Sequence, residues 1–242
     1  MSCTTRGRGA IVALLVAVSA CSSSPAPVSP AASLNALSRA EQQDGWTLLF
    51  DGSTLAGWRG FHEPTGVARA WRVEGGTIVR AAEGPDLITE REYGNFELAL
   101  EWKLSEGGNS GIMYLVTEDN EETYFSGPEM QVLDDARHHD GGNRLTSAGS
   151  DYGLYAAPAG IVKPAGEWNQ VKIVLRWPHV EHWLNGVKVV EYELQSADWE
   201  ARVKASKFSQ WPTYGRARRG HIVLQNHGDW VAYRNIKLRP LN

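Results

Sequence analysis

The chain has 242 residues, 42% of them hydrophobic, with a formal net charge of −4 and an isoelectric point near 6.0. That is enough apolar material for one sizeable core, and the slightly acidic balance excludes a nucleic-acid binder, which needs a basic face. No run of like charges marks an interaction tail. The unusual count is ten Trp beside eight Tyr, large half-polar rings that suit cores, interfaces and ligand-stacking surfaces alike.

At the N-terminus Arg6 and Arg8 precede an apolar stretch from Ala10 to Ala20. A basic start, a short apolar middle and small residues before a break form an export signal over residues 1–20. The apolar run is too short for a mature membrane span. Val18-Ser19-Ala20-Cys21 resembles a lipobox, with Val18 where Leu is usual, which makes Cys21 the expected lipidation site; an ordinary signal peptide cleaved nearby is the competing reading. Cys3 leaves with the signal, so a mature chain would have neither a disulfide framework nor a thiolate metal site. Residues 21–43, rich in Ser, Pro and Ala, read as a flexible tether. Ser22 after the lipidated Cys points to outer-membrane sorting. The expectation is a cell-envelope lipoprotein, outer-membrane anchored or facing the periplasm.

Residues 44–242 read as one all-β domain. Trp46 to Phe50 is the first expected strand. From Phe96 to Leu104, apolar Phe96, Leu98, Leu100, Trp102 and Leu104 alternate with Glu97, Ala99, Glu101 and Lys103, the pattern of a half-buried strand. Ser110 to Val116 and Glu129 to Leu133 follow. Val171, Ile173, Leu175 and Trp177 repeat the alternation. Asn185-Gly186 between Val180–Leu184 and Val187–Tyr192 predicts a tight hairpin. Ala197 to Phe208, with Ser196 as N-cap, is the one expected short helix. His221 to Gln225 and Ala232 to Leu238 close the set. Many short strands between Gly and Asn turns predict a sandwich of two antiparallel sheets.

Two of these strands have unusual polar faces. With Met130 and Val132 inward, Glu129 and Gln131 point out, roughly 6–7 Å apart at Cα. With Ile222 and Leu224 inward, Gln225 and His227 point out. Either strand alone is an ordinary solvated face. Together they offer amides, an imidazole and an acid, which are multivalent hydrogen-bonding groups.

The chain from Trp46-Thr47-Leu48-Leu49-Phe50-Asp51-Gly52 to its end resembles the 3-keto-disaccharide hydrolase family. The resemblance runs through Leu55-Ala56-Gly57-Trp58, Gly108-Asn109-Ser110-Gly111-Ile112 and Gly127-Pro128-Glu129-Met130-Gln131-Val132-Leu133-Asp134. It continues through Gly166-Glu167-Trp168-Asn169, Glu181-His182-Trp183-Leu184-Asn185-Gly186, Ser206-Lys207-Phe208 and Gly220 to Leu241. It implies a concanavalin A-like jelly-roll sandwich acting on a sugar already oxidised at carbon 3 by a separate sugar 3-dehydrogenase. A C3 ketone acidifies the C2 proton, so a general base can start an elimination that hydration completes. A conventional glycosidase instead needs two carboxyl groups across the bond, and Gln131 stands where the second would fall, although Glu101 could restore a pair from another strand.

On this reading Glu129 is the candidate base or metal ligand. His227 is the candidate proton donor, because an ordinary imidazole titrates near neutral pH. Gln131, Gln225, Glu101 and Arg234 are candidate hydroxyl binders, and Tyr124 and Trp230 candidate stacking rings. His138 and Asp140 match a His-x-Asp pair of the family and are candidate ligands for a divalent ion, or plain exposed loop residues. A non-catalytic carbohydrate-binding module and a conventional glycosidase are the competing functions.

Overall fold

The computed structural model describes residues 1–4, 34–64 and 69–242. The expected signal, the lipobox and most of the tether lie outside those residues. The described residues of the sandwich unit contain thirteen strands: β1 (Thr47–Leu48), β2 (Trp58–Gly60), β3 (Trp71–Glu74), β4 (Thr77–Arg80), β5 (Leu87–Thr89), β6 (Phe96–Leu104), β7 (Asn109–Val116), β8 (Glu129–Leu133), β9 (Asn169–Arg176), β10 (His179–Leu184), β11 (Val187–Glu193), β12 (His221–Leu224) and β13 (Val231–Pro240). The larger sheet runs β11-β10-β9-β6-β13-β4-β3, with β1 also paired to β13; the smaller runs β2-β5-β12-β7-β8. Every pairing is antiparallel. The two-sheet, all-β architecture expected from the alternation is therefore present.

The core follows from the period-two pattern. Phe96, Leu98, Leu100, Trp102 and Leu104 of β6 are buried against Ile112, Tyr114, Met130, Val132, Ile222 and Leu224 of the smaller sheet. Each such side chain contributes about 1.5–3 kcal/mol by leaving water. Asn185 and Gly186 have φ of 50° and 83°, as a tight turn with two left-handed residues requires. The outward face of β6 is charged and paired, with Glu97 bound to Arg239 and Glu101 to Arg234.

Three expectations need correction. The described residues contain two α-helices, not one. Helix α1 (Arg39–Gln43) falls inside the stretch read as tether. Ser38 and Glu41 close a reciprocal capping box at its start, which satisfies backbone donors that a free linker would leave to water. Upstream, Asn35 and Asn235 each donate a backbone N–H to the other's side-chain oxygen, at 2.7 and 2.8 Å. Asn35, also inside that stretch, is thus fastened to the sandwich. Helix α2 (Ala197–Ala205) has Ser196 as its cap as expected but stops at Ser206; a separate 3₁₀ turn then covers Lys207–Gln210. Strands β2 to β5 were not expected, because they are short and lack clean alternation.

Candidate active site

β8 places its residues as the alternation predicts. Met130 and Val132 enter the core, while Glu129 and Gln131 stand on the outward face of the smaller sheet. On the neighbouring β7, Gly111 lies opposite Gln131 and Met113 opposite Glu129. The missing side chain of Gly111 leaves room for the Glu129 carboxyl, since a Cβ there would sit 2.0 Å from Oε1. Beyond β7, the Gln225 N–H donates to the Gly111 carbonyl at 3.0 Å, which continues the ladder past the end of β12. The inward Ser110 hydroxyl donates to the Gln225 carbonyl at 2.7 Å and also meets the Tyr233 hydroxyl. Asn109 Nδ2 and His227 Nε2 are 3.4 Å apart.

These groups form the floor of a cavity of about 370 Å³, within the size range of ligand clefts. Its walls come from three loops. The 3₁₀ turn Thr123–Phe125 supplies Tyr124. The turn after α2 supplies Lys207 and Gln210, with Trp211 following. Phe125 stacks on Trp211 at 4.4 Å, and Tyr124 meets the same indole edge-on at 5.4 Å. The third wall is Tyr152, from a segment that runs along the free edge of β8. There Gln131 donates to the Ser150 carbonyl, Gly149 to that of Gln131, and Tyr152 to that of Glu129. Lys207 Nζ lies 4.5 Å from the Tyr152 ring centroid and 5.4 Å from that of Tyr124.

Burial dominates the electrostatics. It pushes the Glu129 carboxyl up to about 8, against the opposing pull of the Lys207 ammonium and with the help of the Asp86 carboxyl. Burial likewise lowers Lys207, while Glu129 and Asp140 hold its charge on. Asp86 is raised to about 6 by burial, opposed by hydrogen bonds from Thr123 and Asn226. Behind the floor, Asp151 is fully buried, and neither of its oxygens has a hydrogen-bond partner. Burial and then the nearby Glu129 raise it well above the usual carboxylate range. The result is a proton-holding acid on the floor with a cation at the wall, a pairing suited to moving a proton and steadying the negative charge left behind.

Five expected residues meet here: Glu129, Gln131, Gln225, His227 and Tyr124. Three do not. Glu101 and Arg234 face outward from the larger sheet, where they bind each other at 2.7 Å and Arg234 lies 3.9 Å over the Trp168 ring. Trp230, just before β13, is 40% exposed and has the Lys103 ammonium 5.6 Å from its ring. The physical reason is shared: alternation tells an inward from an outward side chain but not which sheet a strand joins. His138 and Asp140 flank His139, and the three donor atoms lie within 4.8 Å of one another, a nitrogen and oxygen set compatible with a transition-metal ion. None of the three lines the cavity, although His138 feels the charges of His227 and Asp229. Sequence reasoning missed Lys207, Gln210, Trp211, Tyr152, Asn109 and Asp86 as site residues. Lys207 and Asn109 fall inside the Ser206-Lys207-Phe208 and Gly108-Asn109-Ser110-Gly111-Ile112 stretches of the family resemblance, but nothing local in those stretches marks them as cavity residues.

A two-sheet antiparallel sandwich with an acid, amides and aromatic rings gathered over one outward sheet face defines the class: a β-sandwich with a small polar-ligand groove. Residues 45–239 match the model of a family described as the 3-keto-alpha-glucoside-1,2-lyase-like domain. A Bacteroides thetaiotaomicron protein named 3-keto-disaccharide hydrolase is 37% identical, over 88% of this chain and 84% of its own length. The chain belongs to this family. Among solved structures, a provisionally named glycosyl hydrolase of Parabacteroides distasonis superposes with a TM-score of 0.82 at 33% identity, covering 87% of this chain and all of its own. A second from the same organism gives 0.62 at 28% identity, covering 81% and 99%.

Proposed function

We propose that this chain is an enzyme that cleaves the glycosidic bond of 3-keto-glucosides, 3-keto-disaccharides among them, by elimination followed by hydration. Family membership and the name of the Bacteroides relative support the substrate class. The observation that carries the mechanism is the buried Glu129 carboxyl, held basic by its surroundings, beside Lys207 and amides and with no second carboxyl among the residues that line the cavity.

Glu129 as carboxylate takes the C2 proton, which the C3 ketone has made acidic. The electron pair moves into an enolate, and the Lys207 ammonium stabilises the oxygen on C3. The C1–O bond then breaks, and the aglycone oxygen takes a proton from His227. Water then adds its oxygen to C1 of the resulting enone and gives one proton to His227, while C2 regains a proton from Glu129; both residues return to their starting states and the sum is a net hydrolysis. Gln131, Gln225 and Asn109 bind hydroxyls, and Tyr124 and Trp211 cover the ring face. A divalent ion on His138, His139 and Asp140 would supply Lewis acidity beside the groove; no step above depends on it. The two-carboxylate route loses its candidate partner, since Glu101 belongs to the other sheet. Export, lipid anchoring at Cys21 in the cell envelope and supply of the ketosugar by a sugar 3-dehydrogenase complete the proposal.

The test mixes purified domain with 3-keto-trehalose and with trehalose. Cleavage of the ketosugar alone, abolished by Glu129→Gln with ketosugar binding retained, is the expected result. Equal cleavage of trehalose would return the site to conventional glycosidase chemistry. Binding without turnover across a ketosugar panel would make it a binding module.

A further inference from the structure

Asp86 is not among the residues that line the groove, yet it touches both sides of it. It immediately precedes β5 and is half-buried. Its Oδ1 accepts the Asn226 backbone N–H at 2.7 Å, and its Oδ2 accepts the Thr123 hydroxyl at 2.5 Å. Thr123 is itself buried and opens the turn that carries Tyr124. Asn226 lies between Gln225 and His227. Its side chain is fixed in turn, accepting from Arg80 Nε at 2.7 Å and donating to the carbonyls of Ala82 and Gly84. One carboxyl group therefore joins a wall of the groove to the strand exit that supplies part of its floor.

We infer that Asp86 is a positioning residue, whose two carboxyl oxygens tie the turn bearing Tyr124 to the segment bearing Gln225 and His227 and so set the width of the groove. As an element of catalysis this rests on the function proposed above; as a structural clamp it does not.

The chemistry of the partners separates two effects of the group. The Asn226 N–H can only donate, but the Thr123 hydroxyl can donate or accept. An asparagine at position 86 can keep both bonds, with its oxygen on Asn226 and its amide on Thr123. The clamp thus survives loss of the charge. The charge has a separate action, because Glu129 feels it as a like charge. The other groups that face Glu129 are Lys207, Asp151, Tyr152, Tyr214 and Tyr233. Those facing Asp86, besides Glu129, are Glu122, Tyr124 and Tyr233. Lys207 is the only cation in either set, and it pulls Glu129 down; burial is the chief cause that holds Glu129 basic against it, and the Asp86 charge adds to that.

Two variants test the clamp and the charge apart. In Asp86→Ala, backbone hydrogen exchange across 122–126 and 225–228 is expected to speed up at least tenfold, with KM for 3-keto-trehalose raised tenfold or more and kcat changed less. In Asp86→Asn, exchange and KM are expected to stay within twofold of the parent, while the rising limb of kcat against pH moves to lower pH. If Asp86→Ala fails to fold, Thr123→Val removes one arm in an isosteric way and should loosen 122–126 alone. Parental exchange and KM in Asp86→Ala, or in Thr123→Val as its substitute, would overturn the clamp. An unmoved pH limb in Asp86→Asn would overturn the action of the charge. Hydrogen exchange needs no substrate, so a failed clamp and a wrong substrate class give different results.

Discussion

Gly111→Ala adds one methyl group at a point where the structure has no room for it. The added Cβ would lie 2.0 Å from Glu129 Oε1, 2.8 Å from Cδ and 3.0 Å from Cγ. Ordinary contact begins at 3.4 Å, so the carboxyl oxygen must withdraw by about 1.4 Å. The strand ladder is left alone: Gly111 has no left-handed φ, and its three nearest atoms all belong to the Glu129 side chain. The Glu129 side chain borders open cavity on its other flank, so it can turn aside, and the cost in stability should stay within the 1–3 kcal/mol typical of overpacking. The cost in rate should be larger, because a displacement of about 1 Å at a reacting group removes on the order of 10²-fold. Steady-state kinetics on 3-keto-trehalose should give kcat down about 10²-fold with KM changed little, and circular dichroism should give a parental spectrum. A Gly111→Ala variant with parental kcat would remove Glu129 from the chemistry or Gly111 from its support.

Two further outcomes concern the same carboxyl. Lys207 draws Glu129 down, so Lys207→Met should shift the rising limb of kcat against pH upward and, by removing one stabiliser of the developing oxyanion, cut kcat about 10²–10³-fold; an unmoved limb would separate the two residues. Glu129→Gln should stabilise the fold in a pH-dependent way. The folded carboxyl titrates near 8 rather than 4.5, so in the wild-type chain stability is lost as pH rises through that window, at about 1.4 kcal/mol per unit. The variant cannot ionise, and its melting temperature should exceed the wild-type value by a margin that grows from pH 5 to pH 8 and reaches a few kcal/mol of stability. A constant margin would mean that Glu129 is not burdened by burial.

β6 and β8 were legible because both obey period two over their whole length, and the pairing of Glu129 with Gln131 followed from that alone. The same rule misplaced Glu101 and Arg234. Each is an outward residue, as read, but a sandwich has two outward faces, and only pairing reveals that β6 and β13 belong to the larger sheet. Trp230 failed for a related reason, since adjacency in sequence to His227 puts it past the point where the chain crosses between sheets. Lys207, Tyr152 and Asp86 were out of reach because they act through loops from three separate parts of the chain, whose convergence has no local signature. The helix in the supposed tether did have one. Ser38-Arg39-Ala40-Glu41 spells a capping box, and the Ser, Pro and Ala content around it hid the signal.

The reciprocal asparagine pair, Asn35 with Asn235, decides where the domain can be held. Asn35 also donates its side-chain amide to the Gly76 carbonyl at 2.8 Å, and Glu41 of α1 binds Lys237. Residues 35–41 are thus fastened across the outward face of the larger sheet, whereas the groove opens on the outward face of the smaller one. The whole thickness of the sandwich separates them. The first fastened stretch of the domain therefore reaches the sandwich from the side away from the groove, and nothing in residues 35–41 stands over the mouth through which a sugar would enter.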